Sequence, residues 1–172
     1  MDARDLFLDQ HAAVHAAAVG GNKMSLADRT FGGLSDAQMR VRPREDLNSI
    51  AWLMFHIARA EDVMVNVILA GRSQVFDDSW DNRLGVTRRD FGIGMTSSEV
   101  TELTQQVDVA ALREYRDAVG GRTREVVSGF KPQDCRARRR QRAWSARPPR
   151  APSARARKRS SRACPAARAS AC

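Results

Sequence analysis

The chain has three histidines, and two of them lie four residues apart in the segment HAAVH, His11 and His15. On a helix this spacing places both imidazoles on one face, where they can chelate a divalent metal. The segment offers no acidic third ligand, and two histidines packed against an interface of small residues give the same pattern. Both interpretations stay open on the pattern alone.

The third histidine, His56, lies with Glu61 in the segment NSIAWLMFHIARAED. A helix is predicted from Asn48 or Ser49, either of which can cap it, to Ala70. At 100° per residue its side chains fall into two neighbouring apolar stripes and one narrow wet sector. The first stripe is Ile50, Leu53, Ile57, Met64 and Ile68; the second is Trp52, His56, Val63 and Val67; the wet sector is Arg59, Asp62 and Asn66.

A helix that is apolar around most of its girth is typical of the centre of a bundle. His56 is therefore expected in or along the core, and Glu61 beside Ile57, where an unpaired carboxylate would be costly to bury. One interpretation makes His56 a hydrogen-bonded core histidine and pairs Glu61 with an arginine. The other makes His56 a metal ligand, and periodicity alone does not show which residues converge on it.

The rest of the first 134 residues also predicts helices. A first helix is expected over 2–19, ended by a glycine pair, followed by a connector over 24–46 in which Leu34-Ser35-Asp36 can start a short helix. Residues 72–95 are expected to form a loop. Thr96 and Glu99 form a capping box that opens a short helix, and Asp108 can cap a long helix that the pair Gly120-Gly121 should interrupt. Because alternating apolar and polar residues are rare, the fold class is all-α.

Charge divides the chain at about residue 134. Residues 1–134 carry 16 Lys and Arg against 20 Asp and Glu, a net charge of 16 − 20 = −4, whereas residues 135–172 carry 13 basic residues and no acid. This tail contains 12 Arg, 11 Ala, 5 Ser and 4 Pro and no Leu, Ile, Val, Phe, Met or Tyr. Such a composition predicts disorder. The three cysteines, at 135, 164 and 172, match neither a zinc motif nor a disulfide framework.

A basic tail also suggests an alternative function, the binding of nucleic acid or another polyanion by counterion release. The residues that would carry it are Arg138, Arg139, Arg140 and Arg142. Against this interpretation, the preceding domain has no matching basic character and Trp144 is the tail's one aromatic residue for stacking. We expect such binding to be incidental.

The sequence gives no sign of membrane insertion or export. Asp2, Asp5 and Asp9 occupy the stretch where a signal peptide would be positive and then apolar, and no window approaches 18 uninterrupted apolar residues. A cytoplasmic protein is the expectation.

The segment LSDAQMRVRPREDLNSIAWLMFHIARAEDVMV resembles the DinB/YfiT-like superfamily of bacterial helical bundles. The likeness lies in an L-S-x-x-Q-M turn, a linker ending in N-S-I-A-W, and H-x-A-x-x-E-D on the following helix. The later segments GIGMTS and ALREYRDAV also look like actinobacterial members. The resemblance covers about residues 5–134.

This resemblance implies a four-helix bundle that binds a divalent metal, often zinc or nickel, through three residues. His56 would be the first ligand, the other two would lie one turn apart on the last helix, and Glu61 and Trp52 would support the site. Relatives include S-transferases and isomerases that use a low-molecular-weight thiol such as mycothiol, with a small-molecule substrate. No catalytic residue is assigned.

The chain departs from this pattern after Asp134, where the last helix and its ligands should follow. No histidine follows His56, and the restricted alphabet of the tail is typical of GC-rich codons read out of frame. We therefore expect an incomplete bundle and metal site, with a frameshift as the hypothesis that reading the other two frames would test. His11 and His15 could then join His56 in a substitute site. A non-catalytic bundle that forms a homodimer through uncovered apolar stripes is the remaining alternative.

Overall fold

The structure is a computed structural model that describes residues 1–21 and 24–131. This part of the chain contains helices and turns but no strand. The all-α prediction is confirmed. The predicted disorder of the tail and the four arginines of its polyanion site lie outside the described residues.

Eight α-helices and one π-helical segment make up the described fold. They are α1 (Ala3–Val14), α2 (Ala17–Gly20), α3 (Leu26–Phe31), α4 (Asp36–Met39), α5 (Ile50–Asp62), the π-helical segment Val63–Leu69, α6 (Asp78–Leu84), α7 (Ser97–Gln106) and α8 (Val109–Ser128). Side-chain caps explain most of the starting points, because an Asp, Ser or Thr accepts a hydrogen bond from a free N–H group of the first turn. The capping residues are Asp2, Ser25, Ser35, Ser49, Asp77, Thr96 and Asp108.

The first helix is shorter than the sequence predicts, because side chains take over its backbone hydrogen bonds. After Val14 the N–H of Ala16 donates to Nδ1 of His15 at 2.8 Å, and the N–H of Ala17 donates to Asp28 at 3.0 Å. His15 has extended backbone angles, so the predicted helix over 2–19 is divided into α1 and α2. Because of this break, His15, the second histidine of HAAVH, lies outside regular helical geometry.

Two connecting segments are more helical than the sequence predicts: α3 and α6 are not predicted, whereas α4 begins at Ser35 and Asp36, where a short helical start is expected. Residues 24–46 include α3 and α4, each opened by a capping box. The predicted loop 72–95 includes α6, which begins after Asp77 and ends at Gly85 in the left-handed conformation. In contrast, the capping box of Thr96 and Glu99 and the cap at Asp108 are confirmed.

The core lies mainly between α5 and α8, which pack along one another. The predicted wet sector of α5 and its continuation is wrong: Arg59, Asp62 and Asn66 are each 0% exposed. The first apolar stripe shows the opposite error. Its members Leu53 and Ile57 are 40% and 45% exposed, so the helix turns its polar sector, rather than this stripe, toward α8.

A buried carboxylate explains this orientation. Asp62 accepts five hydrogen bonds, so its charge is compensated inside the core. The donors are Tyr115 Oη at 2.6 Å, Asn66 Nδ2 at 2.8 Å, the backbone N–H of Val75 at 2.8 Å and of Phe76 at 2.9 Å, and Arg59 Nη1 at 3.1 Å. The carboxylate therefore joins α5 to α8, to the π-helical segment and to the chain that follows that segment.

The guanidinium of Arg59 extends the same network. It donates to Tyr115 Oη at 2.9 Å, to Gln74 Oε1 at 2.6 Å and to the carbonyl of Arg89, and it lies 4.2 Å from the centre of the Phe76 ring. Burial raises the pKa of Tyr115 well above its ordinary value, which keeps the phenol protonated as a donor to Asp62.

We predict that Asp62→Asn lowers the free energy of unfolding by about 3–5 kcal/mol, because it leaves the buried Arg59 cation without its anion. Urea denaturation of the two proteins measures the difference. The matched control is Asp46→Asn, since Asp46 is 69% exposed and pairs with Arg44 on the surface. It should change stability by less than about 1 kcal/mol. Equal losses in both variants would contradict the role given to Asp62.

Candidate metal centre

Three side chains converge where α1 approaches α5. Nε2 of His11 lies 3.1 Å from Oε1 of Glu61, and Nε2 of His15 lies 3.7 Å from Oε2 of the same carboxylate. The three residues each offer one ligand atom, and these atoms lie within 4.8 Å of one another. We call this group the His-His-Glu cluster. His11 and His15 are 8% and 2% exposed.

Several contacts hold the histidines in place. The ring of His11 stacks between those of Phe7 and His15, with centroid distances of 5.7 and 4.9 Å. Arg124 on α8 donates to the carbonyl of Leu8 at 2.9 Å, which ties α1 to α8. The histidine pair is therefore fixed by its own stack and by the neighbouring helix.

Gly120 on α8 provides the space for His15. A Cβ atom at this position would lie 2.5 Å from both Cε1 and Nε2 of the imidazole, closer than real Cβ contacts allow. The predicted interruption of the helix at Gly120-Gly121 is wrong, because α8 is continuous through both residues. Gly120 is needed because the imidazole of His15 approaches the helix backbone closely. Glycine serves the same purpose where a ligand or another backbone comes near.

Burial and neighbouring charges tune the cluster. Burial, followed by the positive charge of Arg116, lowers the pKa of His15 to about 4, although the negative charge of Glu61 opposes the shift. Burial alone would raise the pKa of Glu61, but the hydrogen bond with His11 and the nearby Thr123 hydroxyl outweigh it and the pKa is lowered. At neutral pH His15 is thus a neutral imidazole and Glu61 a carboxylate, the forms that bind metals.

Both imidazoles keep a buried nitrogen without a hydrogen-bond partner among the described residues, Nδ1 of His11 and Nε2 of His15. In His15 the Ala16 N–H occupies Nδ1, so the neutral ring carries its proton on Nε2. That proton points toward Glu61 at a distance too long for a hydrogen bond. Buried ring nitrogens nearly always have a hydrogen-bond partner. A partner closer than the Glu61 carboxylate is therefore expected at Nε2 of His15.

The donor set suits a divalent transition metal. Two imidazole nitrogens and one carboxylate oxygen are ligands typical of zinc, and three protein ligands leave a position for water or substrate. The observed separations of 3.1 and 3.7 Å bracket the edge of about 3.3 Å that a tetrahedral site with ligand distances near 2.0–2.1 Å requires. The residues present therefore fit a metal if the two histidine nitrogens, which lie within 4.8 Å of each other, take up the same spacing on binding.

Comparison with known protein families gives a match to the DinB superfamily over residues 24–157, most of the chain. The chain belongs to the DinB superfamily. The matched range begins after α2 and runs past Asp134, where the resemblance described from the sequence ends. No curated protein matches the chain. DinB-like proteins often bind metals, so the cluster has a family context.

In this DinB-superfamily chain His56 lies apart from the His-His-Glu cluster. Its ring stacks on Trp52 at 4.9 Å, and its Nδ1 donates to the carbonyl of Phe91 at 2.5 Å, which leaves Nε2 as a free lone pair. Trp52 thus contacts the ring of His56, and its role in supporting a metal site stays a prediction. Within residues 1–21 and 24–131, however, His56 belongs to no group of three ligands, and its role as a ligand stays a prediction.

The sequence offered no signal for the participation of Glu61 beside His11 and His15. The carboxylate lies 50 residues from His11 in the chain, and only the tertiary fold, in which α1 packs against α8, brings the two side chains together. The four tail arginines of the polyanion interpretation lie outside the described residues, so that function stays a prediction. No helix of the described residues is long and apolar enough to cross a membrane.

We predict that the metal-free protein loses stability as the pH falls from about 6.5 to about 4. In this window the unfolded chain protonates His15 whereas the folded chain, with its pKa of about 4, does not, so protonation favours unfolding. The loss should be on the order of 3 kcal/mol. Denaturation in EDTA across a pH series measures it, and His15→Gln should flatten the dependence. An unchanged slope in that variant would contradict the shift.

We also predict opposite effects for two adjacent substitutions on α8. Gly120→Ala should displace the ring of His15 and destabilise the fold by about 1–3 kcal/mol through overpacking, less a small gain in helix propensity. Gly121→Ala meets nothing within 4 Å and should stabilise by about 0.5–1 kcal/mol. Thermal unfolding compares the two variants. Equal stability of Gly120→Ala and Gly121→Ala would contradict the close contact between Gly120 and the His15 ring.

Proposed function

We propose that this chain binds a divalent transition metal, with zinc as the first choice, through His11, His15 and Glu61. The observation that carries the proposal is the convergence of two nearly buried imidazoles on one carboxylate, with the Nε2 atom of His15 left without a partner among the described residues. Membership of a superfamily whose members often bind metals supports it.

The activity we propose is transfer or isomerisation that uses a thiol nucleophile, as in the thiol-dependent relatives that the sequence resembles. A bound divalent metal would supply Lewis acidity, lowering the pKa of a thiol or water at its open position. Arg116 contributes positive charge beside His15, which disfavours the cation itself but favours an anionic fourth ligand such as a thiolate. The cluster therefore suits a metal that carries an anion.

Metal binding has a specific requirement at His15. A neutral imidazole that binds a metal through Nε2 carries its proton on Nδ1, where it now accepts the hydrogen bond from Ala16. The ring must therefore exchange tautomers and give up that hydrogen bond. Nitrogen NMR of the ring reports this exchange directly.

Zinc titration of the metal-stripped chain, followed by calorimetry, tests the proposal. We expect one zinc per chain and a loss of affinity of about 100-fold or more in His15→Ala and in Glu61→Gln, because each removes a ligand. The three tail cysteines are replaced by serine in all proteins, so that thiolates cannot bind the added metal.

His56→Ala serves as the matched control, since it removes a histidine outside the cluster. It should retain zinc affinity within about threefold of the parent, well under 1.4 kcal/mol. If His56→Ala loses the metal while His15→Ala keeps it, the metal lies at the position implied by the resemblance and the proposed cluster is wrong. Absence of stoichiometric zinc from the parent protein would likewise contradict the proposal.

A further inference from the structure

Thr123 is a buried threonine on α8, three residues after Gly120. The two residues share a face of the helix, and Gly120 is the position that the ring of His15 approaches. Thr123 is 1% exposed, and its hydroxyl oxygen makes no hydrogen bond with a group of the described residues. A buried hydroxyl in this state is rare in native proteins, so its orientation calls for a reason.

A common partner of a helical threonine is the carbonyl one turn earlier. Thr30 and Thr101 follow this pattern, since each donates to the carbonyl four residues before it, at 2.8 and 3.1 Å. The hydroxyl of Thr123 instead acts on Glu61. Burial would raise the pKa of this carboxyl, but the hydrogen bond with His11 and then the Thr123 hydroxyl lower it. The hydroxyl is therefore close to the carboxylate without the alignment of a full hydrogen bond.

Glu61 would lose a hydrogen bond in the metal-bound state. Nε2 of His11 lies 3.1 Å from Oε1 of the ionised carboxylate, so this nitrogen carries the proton and donates the hydrogen bond. An imidazole that binds a metal through Nε2 has no proton on that atom, and His11 can then no longer donate to Glu61. The carboxylate therefore needs another donor, and the hydroxyl of Thr123 is close by and not in use.

We propose that Thr123 is a positioning residue of the metal centre, whose hydroxyl donates a hydrogen bond to the Glu61 oxygen that does not bind the metal. This inference rests on the proposed function and adds a fourth residue to that site. A hydrogen bond to one oxygen of a ligating carboxylate holds the other oxygen toward the metal, and loss of such a bond typically weakens metal binding by about 10–100-fold. Metal binding would also give the buried hydroxyl the partner that it lacks.

Thr123→Val tests the inference, because valine has nearly the same shape as threonine but no hydroxyl. We expect it to bind zinc at least about tenfold more weakly than the parent protein. In EDTA its unfolding temperature should be no lower than that of the parent, since the metal-free protein loses no full hydrogen bond. Calorimetric zinc titration and thermal unfolding of the full-length chain, with the tail cysteines replaced by serine, measure the two quantities.

Thr123→Ser should show the reverse pattern. It keeps the hydroxyl and should bind zinc within about threefold of the parent, well under 1.4 kcal/mol. It deletes a buried methyl group, so its unfolding temperature in EDTA should fall by about 2–4 °C. A purely structural role for Thr123 would not separate zinc affinity from metal-free stability in this way.

Thr104→Val is the matched control, because Thr104 is also buried but its hydroxyl has a partner, Ser49 Oγ at 2.8 Å. It should lower the unfolding temperature in EDTA by about 3 °C or more and keep the zinc affinity of the parent. The inference is overturned if Thr123→Val binds zinc as tightly as the parent, if Thr123→Ser does not retain the affinity, or if Thr123→Val loses as much metal-free stability as Thr104→Val.

Failure of this inference can be distinguished from failure of the proposed function. If His15→Ala loses zinc while Thr123→Val binds it like the parent protein, the His-His-Glu cluster stands and the role of Thr123 is wrong. If the parent protein binds no zinc, both are wrong.

Discussion

The fold depends on the buried carboxylate of Asp62. An ionised group in a core must be compensated by hydrogen bonds and opposite charge, and five donors surround this one. Those donors come from α5, α8, the π-helical segment and the chain after it, so satisfying one carboxylate fixes the relative position of all four. The orientation of α5 follows, and with it the direction in which Glu61 projects toward α1. The candidate metal centre thus depends on a network that contains none of its ligands.

The sequence predicted much of this architecture and misjudged one helix face. Caps such as Thr96 with Glu99 are local, and such signals predicted the starts of α1, α5, α7 and α8, although the caps of α3 and α6 were overlooked. The polar sector of Arg59, Asp62 and Asn66 looked solvent-exposed because a hydropathy pattern places charged and polar side chains on the solvent-facing side of a helix. It is buried because Tyr115 and two backbone N–H groups from distant positions complete its hydrogen bonds. No periodicity along α5 contains that information, so the apolar stripe with Ile57 was placed in the core by mistake.

Only part of the candidate site could be predicted, because it too depends on contacts between segments that are far apart in the sequence. The HAAVH spacing identified two of its members, but the third, Glu61, lies on a different helix, and only the tertiary fold brings its carboxylate to them. Gly120 carried a usable signal: a glycine in a long helix weakens it and so calls for a packing reason. That reason is the ring of His15. The position of His56, stacked on Trp52 and bonded to the Phe91 carbonyl, keeps the family's expected ligand separate from the cluster.

The most direct test of the central claim is anomalous X-ray scattering at the zinc edge from crystals of the metal-loaded protein. We expect one peak about 2.0–2.1 Å from Nε2 of both His11 and His15, with a carboxylate oxygen of Glu61 at a similar distance. In that crystal the Ala16 N–H should no longer donate to the His15 ring. A peak at His56 instead, or a zinc-loaded crystal with no peak between the two helices, would contradict it.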